Sequence, residues 1–396
     1  MLSAAPLSAV CGELVFAAPH WFTYRLHVKR RWLSRTVPEV FAEEFYGTEQ
    51  SWKENMERGL VLVNGAMVSA PLTYRMKDGD LLSNRVHFHE MPVSARDRPR
   101  ILGETSEYLL AYKPAGMPTH PCGLFRYHSL TEYIARQLQV GGRDSPDAPN
   151  AVYAVNRLDR VTSGVVILAK SGQIARQWHA LQPMLTDRDA FHKVYIARVL
   201  GRFAEPQHCN VPLSLQRITG GYTRSVPDWQ QGKAAVTEFV PLGYDVHSDT
   251  SLVECRPLTG RTHQIRAHLQ HLGHPVANDV EYGGRRYGLG ENTTPGQDFQ
   301  DTLYQAAHAD IDPLVRDLFP DAADSLQDAD CHHCPHAAPE RWRERTCRRQ
   351  MGIYLHAASY SVHDGPLGQA GFAAQAEWPE WASSRTDVTA PSTPRA

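Results

Sequence analysis

The chain has no run of eighteen or more apolar residues, so the sequence offers no membrane-spanning helix. Met1 to Ala18 contains one charged side chain, Glu13, and neither Lys nor Arg. The basic start of a secretory signal is therefore missing, and so is the Arg-rich composition of a mitochondrial presequence. Cysteine is sparse: seven in 396 residues, an odd number, which argues for a reducing compartment and against a disulfide framework. Cytoplasm is the expected location, with nucleus or mitochondrion as alternatives, and no membrane partner is expected. The H-x-E followed by P-C-x-x-C pattern of a zinc deaminase is absent, and no internal repeat is visible. With 42% hydrophobic residues the chain can bury a large core, in two structured units rather than one, and a monomer is expected.

A strong excess of either charge is also lacking, since the formal net charge is −2. The distribution is uneven, however. Gly288 to Asp330 holds ten acids against one base, Arg316, so setting −9 aside from −2 leaves +7 on the rest. Basic residues gather at Arg25 to Arg35 and Arg256 to Arg286, where they could neutralise phosphates of a nucleic acid. Any one such cluster is ordinarily a solvated face.

Hydrophobic patterning divides the chain. Leu14 to about Glu90 reads as an N-terminal module: strand-like Leu14-Val15-Phe16, a basic amphipathic stretch Leu26 to Arg35, a helix Val37 to Phe45, a helix Trp52 to Gly59 and a strand Leu60 to Val63. Asn64-Gly65 and Lys77-Asp78-Gly79-Asp80 are turn signals. Ala95 to Pro99 is a linker. A larger unit follows, with strands at 108–112, 152–155, 165–169, 193–199, 234–240 and 251–256. Its helices are expected at 128–140, 173–185 and 262–272, the last stopped by Gly273. Many strands with hairpin connections imply an α+β fold around a mixed, mostly antiparallel sheet. Residues 287–349 read as an acidic insertion, after which strand-like Ile353 to Ala357 resumes the pattern. The expected divisions are 1–94, 95–365 and a C-terminal tail 366–396, loose from Ala382 onward.

The segment most suited to chemistry is Asn156-Arg157-Leu158-Asp159-Arg160-Val161-Thr162-Ser163-Gly164. A lone Asp in a loop is ordinarily a turn or capping residue. Here it stands between two guanidiniums, and with a reference pKa near ~3.9 Asp159 should be ionised at neutral pH, able to act as nucleophile or base but not as acid. With Tyr108-Leu109-Leu110-Ala111-Tyr112-Lys113-Pro114-Ala115-Gly116 before it and Leu258-Thr259-Gly260-Arg261-Thr262-His263-Gln264-Ile265-Arg266 after it, the segment resembles the RluA family of RNA pseudouridine synthases, in particular the eukaryotic branch acting on the tRNA anticodon loop.

The resemblance implies an isomerase that breaks the N1 bond of a uridine, rotates the base and joins C5 to the same sugar carbon, without a catalytic cofactor. Asp159 would either attack covalently or take a proton to leave a glycal, and the sequence leaves both open. Tyr195 corresponds to a tyrosine that stacks on the target uracil, and Arg266 to an arginine paired with Asp159. Thr262, His263 and Arg266 share one face of the expected helix. The Thr259-Gly260-Arg261 turn would offer amides to a phosphate, with Arg261 adding charge. Lys193 alternates with Tyr195 toward the same cleft, and Leu258 and Leu355 match apolar pocket positions. Arg157 and Arg160 would then face RNA. The module 1–94 resembles an S4-like RNA-binding fold whose basic helix would lie along a phosphate backbone. Asn156 stands where the family usually has His.

A separate signal is Cys331-His332-His333-Cys334-Pro335-His336 with Cys347 beyond it. It is compatible with a structural zinc held by Cys331, Cys334, Cys347 and His336, with His332 or His333 as alternatives to His336, and equally with free thiols. Two other readings stand beside the synthase of tRNA position 32: a non-catalytic RNA-binding protein retaining the fold, and a synthase acting on rRNA or mRNA. An aspartate glycosidase would need a second facing carboxylate, which the three motifs lack.

Overall fold

The computed structural model describes residues 8–11, 14–45, 47–140, 152–181, 191–217, 223–284, 352–362 and 371–383. No helix among them is long and apolar enough to cross a membrane. The insertion 287–349, the Cys/His cluster within it and the end of the chain lie outside the described residues.

The α+β expectation holds. One ten-stranded sheet dominates, with the order Gln207–Cys209, Thr237–Asp245, Thr250–Pro257, Phe191–Leu200, Leu355–Val362, Ser163–Ala169, Tyr108–Lys113, Arg100–Glu104. Short strands Phe372–Gln375 and Tyr153–Ala154 add to it. Every pairing is antiparallel except that of Ser163–Ala169 with Leu355–Val362. The central strands are buried on both faces because they are almost wholly apolar: Val165, Val166, Ile167, Leu168 and Ala169 are fully covered, as are Leu109 and Ala111. Two strands about two hundred residues apart in sequence are thus joined at the sheet centre, and each leads to a loop of the site.

The N-terminal residues form a second core. Trp32, Val37, Val40, Phe41, Met56, Val61 and Leu82 pack together beneath the three-stranded sheet His20–His27, Leu81–Phe88, Val61–Val63. Helix Val37–Glu44 starts at a capping box made by Thr36 and Glu39, and Thr48 caps helix Glu49–Glu57. Asn64 and Gly65 both have positive φ, 53° and 79°, as the Asn-Gly turn requires. The basic stretch Leu26 to Arg35 does not form a helix. It ends a strand and closes in a single 3₁₀ turn, Arg30–Trp32, because the β-favouring Trp21 to Tyr24 alternation extends to His27 and Trp32 is drawn into the core. Arg31 and Arg35 are held by Glu44 and Glu43, so they are not an open basic stripe. Glu90 ties this region to the main sheet unit, its buried carboxylate accepting the backbone N–H groups of Arg126, Tyr127 and His128.

Two further expectations change. Residues 371–383 of the presumed tail fold onto the sheet: Phe372–Gln375 pairs with Leu355–Val362, and the Trp381 carbonyl accepts from the buried Arg198. The strand read as 234–240 begins later and runs longer, Thr237–Asp245, because residues near Lys233 are engaged with Leu213 instead.

His356, fully buried, shares a 2.9 Å hydrogen bond with Ser163 across the parallel pair. Burial, and then the Arg100 charge, pull its pKa from 6.5 to about 4. The unfolded chain therefore takes up this proton as pH falls below about 6.5, while the folded chain does so only near 4. Stability contributed by neutral His356 is present above pH 6.5 and is lost progressively between 6.5 and 4, by about 3 kcal/mol. Denaturant titrations at pH 7 and pH 4.5 check this: His356→Asn is expected to flatten the slope in that window, and an unchanged slope would refute the assignment.

Candidate active site

A cleft of about 360 Å³ opens beside the sheet centre, lined from the Asn156–Thr162 loop, strand Phe191–Leu200, the segment Pro257–Arg266 and the start of strand Leu355–Val362. Among the described residues that line it, Asp159 is the only carboxylate, against the cations Arg157, Lys193, Arg261 and Arg266. A polyanion is attracted to such a cleft, and one negative group is left to act within it.

The Asp159 loop is fixed from both sides by the Lys113–Thr119 segment. Thr119 Oγ1 accepts the Leu158 N–H and donates to the Leu158 carbonyl, both at 3.1 Å. The Arg160 carbonyl accepts Gly116 N–H at 2.8 Å and Lys113 Nζ at 3.3 Å. Lys113 is fully buried and directs Nζ also to the carbonyls of Pro114 and Met117. Burial pulls its pKa down to about 7, opposed by the charge of Asp159. Thr162 N–H closes a turn onto the Asp159 carbonyl at 3.1 Å. Asp159 is thus held through the backbone of its loop, with its side chain 24% exposed.

Arg266 and His263 both approach Asp159 Oδ2, Nη1 at 3.6 Å and Nε2 at 3.7 Å. The expected Asp159–Arg266 pair is present, but it is not the main bond of Arg266. Nε and Nη2 fork onto Asp279 at 2.5 and 2.9 Å, and Nη2 also reaches Glu281 at 2.7 Å. Burial alone would lower the Arg266 pKa; the hydrogen bonds and charge of Asp279, with Asp159 and Glu281, reverse this and hold it above its ordinary value. The guanidinium is therefore permanently charged and aimed by two anchoring acids, leaving Nη1 for Asp159. Replacing Arg266 by Lys keeps the charge and loses the fork. We expect a stability loss of about 2 kcal/mol and a roughly 10²-fold slower reaction, measured by thermal unfolding and single-turnover rates; an unchanged rate would remove Arg266 from the site.

Tyr195 lines the cleft and its hydroxyl lies 2.6 Å from that of Tyr360. Burial raises its pKa well above the usual phenol value, so it remains a neutral hydroxyl on an aromatic wall. Lys193 also lines the cleft although a bulge interrupts the strand between Val194 and Tyr195. Burial lowers its pKa to about 8. Leu355 is a lining residue as expected.

Several positions differ from their expected places. Leu258 does not line the cleft; its neighbours Pro257 and Thr259 do, because its N–H pairs with the Val236 carbonyl and turns the side chain aside. Arg160 is not a lining residue either, and lies over Phe125 at 5.9 Å. Arg157 does line the cleft, Nη2 donating to Thr262 Oγ1 at 3.4 Å. The helix expected at 262–272 begins at Gln264, so Thr262 and His263 precede it, His263 as the N-cap residue in the left-handed region at φ 52°. The Arg261 amide is not free for an anion: it donates to Gln264 Oε1, while Arg261 Nε donates to the Ala234 carbonyl. Gln264 also accepts from Thr259 and donates to Val236 and Thr237, which locks the turn.

Asn156 performs a strand-like task. Its Oδ1 accepts the Ile167 N–H at 2.8 Å, and Nδ2 faces the Tyr360 hydroxyl without closing a hydrogen bond to it. Sequence reading missed Asp279, Glu281 and Tyr282, whose only local signal is two acids flanking Val280 just before a Tyr-Gly-Gly turn. It also missed His179 on the cleft wall. The proposed zinc ligands Cys331, Cys334, Cys347 and His336 lie outside the described residues.

Comparison with known proteins finds a family and several relatives. The family described as RNA pseudouridylate synthase matches residues 107–271, a span holding both the Asp159 loop and Arg266. The chain is 36% identical over 279 residues to the mouse pseudouridylate synthase RPUSD2, covering 70% of this chain and 47% of that protein, so it spans about half the length of that relative. It is 32% identical over 393 residues to the mitochondrial tRNA pseudouridine(32) synthase of Saccharomyces cerevisiae, covering 94% of this chain and 78% of the relative. To the tRNA pseudouridine(31) synthase of the same yeast it is 33% identical over 300 residues, covering 67% and 70%. With the motifs, the sheet and the relatives in agreement, the chain belongs to the RNA pseudouridylate synthase family.

Proposed function

We propose that this protein isomerises uridine to pseudouridine in RNA, with Asp159 as the nucleophile or base. The observation that carries this reading is one carboxylate on a backbone-clamped loop, flanked by Arg266 and His263, in a cleft whose other described lining residues are cations and neutral groups. Oxidation state is unchanged by the reaction and no phosphate energy is needed, so the protein's tasks are to admit a flipped base, hold it while it turns and manage two protons. In the reading favoured here the Tyr195 ring is the surface against which the uracil lies. Its neutral hydroxyl, bonded to Tyr360, keeps the wall apolar enough for a base to rotate.

The four cations supply the attraction for the phosphates around the target nucleotide. Loops and unpaired bases suit this architecture better than a duplex, because the base must leave its stack. We assign the anticodon loop of tRNA, at or beside position 32, as the substrate, on the strength of the two yeast relatives and their coverage. Work in the cytoplasm or in mitochondria fits this assignment. The small N-terminal unit, with its own core, would contact RNA outside the cleft.

Incubating the protein with total RNA, containing tRNA, rRNA and mRNA, and mapping pseudouridine chemically tests the assignment. A new modification confined to the anticodon loop is expected. Modification only in rRNA or mRNA would overturn the substrate, and none in any RNA would overturn the activity.

A further inference from the structure

The approach of His263 to Asp159 depends on which of its ring nitrogens carries the proton, and a residue beyond the three motifs decides that. Tyr282 is fully buried. Its hydroxyl oxygen accepts the Ser225 backbone N–H at 2.9 Å and lies 3.0 Å from His263 Nδ1. The hydroxyl hydrogen needs an acceptor, since leaving it unmatched in the interior costs about 1–3 kcal/mol. Nδ1 is the acceptor at hand. The groups acting on His263 are Asp159, Arg266, Glu281 and Asp279, and burial outweighs their combined influence, lowering the imidazole pKa. A neutral ring that accepts at Nδ1 carries its proton on Nε2, the nitrogen 3.7 Å from Asp159 Oδ2.

Tyr282 touches the other partner of Asp159 as well. The Arg266 guanidinium lies over its ring at 4.6 Å. Backbone geometry adds to the fixation: His263 adopts φ 52°, an uncommon conformation for a residue with a side chain, and Ser225 Oγ donates to the adjacent Thr262 carbonyl. One buried phenol thus contacts both groups that approach Oδ2.

We propose that Tyr282 is a positioning residue which, by donating to His263 Nδ1, fixes His263 as its Nε2–H tautomer and thereby orients the Asp159 carboxylate. This rests on the proposed isomerase activity for its kinetic readout, but the tautomer itself can be observed without any reaction. The first measurement is ¹⁵N NMR of histidine-labelled wild-type protein, with His263 identified through His263→Gln. A proton on Nε2 is expected; a proton on Nδ1 overturns the proposal whether or not the protein modifies RNA.

The second is a double-mutant cycle at saturating RNA. Tyr282→Phe keeps the ring beneath Arg266 and removes only the hydroxyl. It should lower kcat about tenfold or more, with KM changed less than about twofold. In the His263→Gln background, where no tautomer remains to be set, Tyr282→Phe should cause no further loss. An equal loss in both backgrounds would show that Tyr282 acts through packing alone and would overturn the proposal. Absence of pseudouridine from the wild type would instead contradict the activity, leaving the NMR result to decide on Tyr282.

Discussion

Asp159→Asn is expected to leave the protein folded and able to bind RNA while lowering pseudouridine formation by about 10³-fold or more. The amide has the shape of the carboxylate, so the turn closed by Thr162 and the clamps from Thr119 and Lys113 are unaffected, because they act on the backbone of residues 158–160. Arg266 keeps Asp279 and Glu281 as its principal partners, so removing one charge does not strand a buried guanidinium. What disappears is the only negative group among the described residues lining the cleft, and with it the anionic nucleophile or base assigned to the reaction. The variant should melt within about 2 °C of the wild type and bind tRNA equally well or slightly more tightly, since a charge repelling phosphate has gone. A reaction rate within tenfold of wild type would place the chemistry elsewhere.

Gly164→Ala should have the largest effect on the fold. Gly164 has φ 120° and stands in the parallel pair at the sheet centre, opposite Ala357 on one side and Lys113 on the other. A Cβ there would lie 2.2 Å from the Ala357 carbonyl oxygen and 2.6 Å from its nitrogen. These are backbone atoms of a central strand and cannot swing aside as a side-chain tip would, so the two strands must part. Combining the backbone strain with the overpacking gives about 4 kcal/mol or more, a fall in melting temperature on the order of 10 °C. The strand carrying Leu355 and the loop carrying Asp159 would be displaced together, so activity should fall with stability. Gly79→Ala is the contrast: its φ is also positive, at 84°, but an added Cβ meets nothing within 4 Å, and about 1 kcal/mol is expected. Similar melting temperatures for the two variants would show that the close approach of the central strands is not as described.

Much of this architecture was legible in the chain because its signals are local. The apolar run at 165–169, the helix from Val37 and the Asn64-Gly65 turn each form as their own residues dictate. Asp159 and Tyr195 are found in one cleft as their motifs imply. What escaped was tertiary. That Arg266 is anchored by Asp279 and Glu281 follows from how residues 274–284 fold back over the helix Gln264–His271, and no spacing rule connects those positions. Leu258 and Arg261 are aimed by Val236, Ala234 and Gln264, which lie on other segments or compete for the same amides. The basic stretch after Leu26 was misread because its polar-apolar alternation suits a strand as well as a helix, and Trp32 settled it by joining a core assembled from later residues. Asn156 shows the converse: the departure from the family histidine is plain in the sequence, but only the fold shows that its Oδ1 holds the Ile167 amide.

In the proposed activity a uridine is isomerised in place. The most direct measurement uses a tRNA anticodon stem-loop carrying tritium at uridine C5, because joining C5 to the sugar carbon must release that hydrogen to water. Wild-type protein is predicted to release tritium in step with the appearance of pseudouridine, with no change in RNA mass beyond the exchanged hydrogen. Tritium retained in the RNA, or free uracil leaving an abasic site, would contradict it.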